Sequence, residues 1–137
     1  MMLNCSFEEL AALDAAVERV RGSVGVGGVA APPAALHDVD ALAPRLTGDL
    51  DIEKLAEQES VQRALEFLLA EARERTDTLI LEQYPAAEDA VQAYFEYAYV
   101  LTVLDRVRQM GDEMRAIIDL MTGSQTDPDP RGFSFNN

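Results

Sequence analysis

Side chains able to do chemistry are sparse in this chain of 137 residues, which has one cysteine, Cys5, and one histidine, His37. A single thiol excludes an internal disulfide, and a single imidazole removes most zinc and haem ligand sets. His37 stands beside Asp38 and Asp40 with no second soft ligand near it, so it reads as a solvated residue. Cys5 precedes a helix start, a place that can lower a thiol pKa. The only imidazole able to serve as its base lies beyond a glycine-rich stretch, and a buried structural thiol is the expectation. Carboxylates are plentiful, yet no Glu has His three residues on, the inward-facing spacing a di-iron bundle uses. No catalytic, cofactor-binding or metal-binding residue is assigned, and the balance leans away from an enzyme.

Apolar side chains are the richer signal. Tyr94, Phe95, Tyr97 and Tyr99 crowd one short stretch. Tyr94 and Tyr97 share the side of a heptad-like seam, whereas Phe95 and Tyr99 point elsewhere; seam positions 90, 97, 104, 111 and 118 hold Ala, Tyr, Leu, Gly and Ile. Positions 93, 100, 107, 114 and 121 hold Ala, Val, Val, Met and Met. Val103, Met110 and Ile117 widen the stripe on one side and Leu101 on the other, so it is broader than a two-stranded seam and suits a helix packed on several neighbours. The expected partner or dimer interface is Tyr94, Tyr97, Leu101, Leu104, Val107, Met110, Met114, Ile118 and Met121. Gly111 inside the seam marks either a close helix approach or a kink. An alternative gives the tyrosine-rich region to a small-molecule pocket in a binding or enzymatic bundle.

The elements that must carry these residues are helical. Ser6 and Glu9 have the spacing of a capping box, with Cys5 and Leu10 placed to staple it. Leu10, Leu13, Val17 and Val20 then predict a helix over 6–21. Residues 22–33 form a Gly/Ala/Pro-rich linker, and without a preceding strand or a following Gly-Lys-Ser/Thr it is no phosphate loop. A short helix is expected over 34–43, ended by Pro44. Asp49 and Asp51 are expected to open a long helix whose weakest point is 73–78, and Pro85 to start another that closes at Gly123. Residues 1–123 thus read as one helical domain and 124–137 as a flexible tail. Phe133 and Phe135 in that tail alternate like a docking strand, expected to seat on a partner or neighbouring subunit with only weak attachment to their own chain.

These lengths set the shape. A globule of this size is roughly 37 Å across, whereas the two long helices would run about 50 and 54 Å. The expected fold class is therefore all-α: an elongated helical hairpin of two long helices plus a short N-terminal helix. A homodimer would complete the bundle by covering the remaining stripe.

Charge narrows the partners. Acids outnumber bases 25 to 11, a formal charge of −14, which disfavours nucleic acid and anionic membranes. No segment reads as a secretory signal or a bilayer span, so a cytoplasmic protein is expected. Ten of the eleven bases are Arg, which suggests GC-rich bacterial coding. The expected function is a non-enzymatic, protein-binding adaptor, assembly factor or small chaperone with a partner that is possibly basic. An acidic decoy that mimics DNA is the second reading, diluted by arginines on the helix faces.

Overall fold

The computed structural model describes residues 1–22, 32–81 and 87–126, and four helices make up most of them. The first, α1 (Phe7–Gly22), starts where the sequence places its cap. The Glu9 amide donates to Ser6 Oγ at 3.1 Å, and the Ser6 amide donates to Glu9 Oε1 at 2.8 Å. Two otherwise unpaired amides are thereby satisfied at once. Helix α2 (Pro33–Leu42) takes proline in its first turn, where the missing amide costs nothing, and passes into a 3-10 turn over Ala43–Arg45.

Helix α3 (Leu55–Leu81) begins later than the aspartates suggest. Asp51 belongs instead to β2 (Leu50–Asp51), which pairs antiparallel with β1 (Met2–Leu3). Asp49 Oδ1 accepts the amide of Cys5 at 3.1 Å. The true start of α3 is fixed by Glu57, whose carboxylate accepts the amides of Glu53 and Lys54 at 3.0 and 3.1 Å. The helix also runs unbroken through 73–78, where the Thr76 hydroxyl donates to the Ala72 carbonyl at 2.8 Å.

Helix α4 (Ala87–Thr126) passes through Gly123 instead of closing there. Glycine weakens a helix by about 1 kcal/mol but does not stop it. Phe133 and Phe135 lie outside the described residues, as does most of the 22–33 stretch.

One core joins all of these elements. Leu13 and Val17 of α1, Val39 and Leu42 of α2, Leu65 and Leu68 of α3, and Val100, Leu104 and Val107 of α4 are each at most 1% exposed. Leu50 and Ile52 close the core at the strand pair. Ion pairs show which helix covers which. Arg106 of α4 meets Glu9, and Arg19 meets Glu71 and Glu96, so α1 lies over α4 with its last turns reaching α3. Asp38 of α2 accepts from Ser60 at 3.2 Å and Arg63 at 3.0 Å on α3. The middle of the α4 stripe is therefore covered from within one chain, by α1, α2 and α3 together. No helix among the described residues is long and apolar enough to cross a membrane.

Candidate protein-docking surface

The aromatic cluster sits on the first turns of α4, and the 100° step of the helix divides it. Tyr94 and Tyr97 turn toward Arg73, Thr76 and Asp77 of α3, while Phe95 and Tyr99 turn toward α1. The rings bridge the two sides in a chain. Tyr94 meets Phe95 edge-on at 6.1 Å, and Phe95 stacks with Tyr99 at 6.4 Å and 29°. A helix apolar on every side is expected to be buried on every side, but this one is not. Tyr94 remains 57% exposed, Phe95 52% and Val91 53%.

Across from Phe95 and Tyr99, α1 presents Ala11, Ala12 and Ala15, with Phe7 at the end of the row, 81% exposed. Alanines extend no further than Cβ, so the two helices leave a trough between them, of about 260 Å³, floored by methyl groups and walled by rings. Phe7 to Ala15 spans about 12 Å of helix, the length of two turns of a partner helix. Each ring offers 150–250 Å² if covered, with a stacking preference beyond its area.

The trough is acidic at its edges. Glu8 borders it, and Asp14 and Glu18 stand exposed farther along α1. None of the three has an ion-pair partner among the described residues. Glu96, also at the edge, is 8% exposed and already engaged. Arg19 Nη1 donates to Glu96 Oε1 at 3.0 Å, and Arg19 Nη2 donates to Glu71 Oε1 at 2.9 Å. Burial opposes the Arg19 charge, but the bonds to Glu96 and Glu71 outweigh it and hold its pKa above the usual value. That clamp ties α1 to α3 and α4, which keeps the alanine row at a fixed distance from the rings.

Two other hollows are less suited to binding. One of about 230 Å³ lies between α3 and α4 beside Tyr94 and Tyr97. Another of about 380 Å³ lies under Met1 and Met2 beside Arg106 and Glu113. Sites for small molecules enclose their ligand in about 300–1,000 Å³ around converging polar groups. The guanidinium in the larger hollow is turned to Glu9 and the Asn4 carbonyl instead. Among the described residues, no three His, Cys, Asp or Glu side chains gather as metal ligands. Cys5 is half-buried, with Sγ 3.9 Å from the Leu3 carbonyl, and burial pushes its thiol pKa up.

The residues expected at the interface fall into three places. Tyr94 is exposed and Tyr97 half-buried at the start of α4, and Leu101 is half-buried beyond them. Leu104 and Val107 are fully buried, and Met110 and Met114 are 6% and 8% exposed, all packed in the chain's own core. Ile118 and Met121 are exposed at the far end, 41% and 61%. The trough itself also uses Phe7, Ala11, Ala15, Phe95 and Tyr99, none of which the seam reading included. Phe7 carried a usable signal, since it falls off the Leu10–Leu13–Val17–Val20 stripe. Comparison of the chain with protein-family models, curated proteins and solved structures gave no match.

Proposed function

We propose that this protein is a non-enzymatic binding module whose α1–α4 trough receives a short amphipathic helix of another protein, apolar on one face and flanked by Lys or Arg. The observation that carries the reading is the row of rings, exposed Phe7 and Phe95 with half-buried Tyr99, held over a methyl floor by a clamped helix pair. Clustered exposed aromatics of this kind are rare on a monomer surface without a partner and are common at the centres of interfaces. An apolar helix face laid into a groove is a recurrent recognition mode. Glu8, Asp14 and Glu18 favour a basic flank on that helix.

A second copy of the chain suits the trough less well. In a two-fold dimer the same patch meets itself, so these carboxylates would face one another on a chain already carrying −14. The DNA-mimic reading loses support from the arginines. Arg19, Arg21, Arg45, Arg63, Arg75, Arg106, Arg108 and Arg115 each lie against a carboxylate, which breaks up the negative surface.

Fluorescence anisotropy with two synthetic helices tests the reading, one with a leucine face flanked by Lys and its twin flanked by Glu. The Lys peptide is expected to bind, more weakly as salt is raised, and the Glu peptide to bind at least tenfold less well. Equal binding of both peptides, or of neither, would count against the trough as a recognition site.

A further inference from the structure

Arg73 differs from every other arginine among the described residues. The rest each lie against a carboxylate, and Arg73 has no ion-pair partner. It is exposed at the rim of the hollow of about 230 Å³ between α3 and α4. Arg73, Thr76 and Asp77 line one wall, at the three- and four-residue spacings that share a helix face. Tyr94 and Tyr97, three apart on α4, line the other. The Thr76 hydroxyl is already given to the Ala72 carbonyl. Asp77 is exposed one turn from Arg73 and is not paired with it. A base placed four residues before an acid is the weaker order for an ion pair along a helix, so the guanidinium is left available.

A free guanidinium recognises a carboxylate through two parallel N–H donors. The tyrosine rings beside it give the apolar stem of an acidic side chain a surface to lie on. Small-molecule sites enclose about 300–1,000 Å³, and a smaller hollow suits one anchoring side chain of a larger partner. The hollow also adjoins the trough. Tyr94 lines the hollow, and its ring meets Phe95 of the trough wall at 6.1 Å. Arg19, one turn beyond Ala15, meets Glu71 and Glu96, so the hollow lies level with the Ala15 end of the trough and away from Phe7. Only α4 separates the two recesses, about 10–12 Å across with its side chains. Three or four extended residues, at about 3.3–3.6 Å each, span that width. The unpaired charges on the two flanks are opposite in sign, Glu8, Asp14 and Glu18 on the α1 side and Arg73 on the α3 side. Asp77 opposes an incoming carboxylate, but from farther off than the guanidinium that bonds it, and attraction at the shorter distance prevails.

We propose that the hollow takes an acidic side chain of the partner whose helix occupies the trough, with Arg73 as the residue that selects it. The inference rests on the trough reading and deepens it. The partner is basic along its helix and acidic three or four residues beyond one end. Because the hollow is level with one end of the trough, Arg73 also fixes which way the partner helix runs.

Fluorescence anisotropy with the Lys-flanked helical peptide extended by a Gly-Gly-Gly-Glu arm tests this against a Gly-Gly-Gly-Gln twin. The arm stands at the N-terminus in one pair of peptides and at the C-terminus in the other. In one pair the Glu arm is expected to bind about two- to fivefold more tightly than its twin, the range of an exposed ion pair. Arg73→Gln should make the twins bind alike, and Asp77→Asn should widen the gap between them. Both positions are exposed, so neither change should move the thermal midpoint appreciably. Equal binding of Glu and Gln twins in both pairs would overturn the inference and leave the trough reading standing. A gain that survives Arg73→Gln would overturn it as well, by placing the acid elsewhere. Binding of no peptide would overturn the trough reading and this inference together.

Discussion

Gln58 is fully buried, an unusual place for an amide. Its Nε2 donates to the Val107 carbonyl and to Gln62 Oε1, both at 2.9 Å, while its Oε1 has no partner among the described residues. The amide occupies the space that Gly111 leaves, and a Cβ at position 111 would stand 2.4 Å from Nε2. Alanine there would favour the helix by about 1 kcal/mol. It would also force Gln58 off two bonds worth about 1 kcal/mol each. Gly111→Ala is therefore expected to lower stability by about 1 kcal/mol in urea denaturation. In a Gln58→Ala background the sign should reverse, with up to about 1 kcal/mol gained. Stabilisation by Gly111→Ala in the native background would show that the amide yields freely. The sequence displayed this glycine as an anomaly in the seam and left two explanations open. Choosing between them required knowing that position 58 faces it, and spacing within one helix carries no information about its neighbour.

Among the elements, α1 was the most legible because its signals are local. Ser6, Glu9 and the stripe from Leu10 to Val20 lie within one segment, and the cap formed as read. The strand pair and the start of α3 were illegible for the opposite reason. Cys5 meets Asp49, and Leu3 meets Leu50, across more than forty residues, so aspartates that resemble helix caps serve a distant turn instead. The cap of α1 predicts a pH dependence. Burial raises the Glu9 pKa, but the bonds from Ser6 and the Arg106 charge outweigh this and leave it below the ordinary value. The folded chain thus binds this proton less readily than the unfolded one. The Glu9 contribution is present at neutral pH and is lost as pH falls through the folded pKa. Glu9→Gln should cost about 1 kcal/mol at pH 7. The gap between the two melting curves should close as pH falls through the folded pKa, below the ordinary glutamate range, where native Glu9 is itself neutral. A gap that stays constant down to pH 3 would separate the cap from the carboxylate charge.

On the scale of the molecule, the all-α class was readable from periodicity, and the way the core closes was not. Length arithmetic set two long helices against one short one and assigned the uncovered stripe to a second chain. It gave the short helix before Pro44 no part in covering that stripe, whereas Val39 and Leu42 are among the most buried residues. With the middle of α4 covered at home, apolar surface remains at its two ends. One end is the ring-walled trough and the other the exposed stretch from Ile117 to Leu120. The central claim is that the trough binds by its rings, so Phe95 is the side chain to remove. It is 52% exposed, and its loss should leave the thermal midpoint nearly unchanged. The most direct measurement is the affinity of the Lys-flanked helical peptide for the native chain and for Phe95→Ala under identical salt. The account predicts at least a tenfold weaker complex with the variant, the loss of a central aromatic anchor. Equal affinities in two equally stable proteins would contradict it.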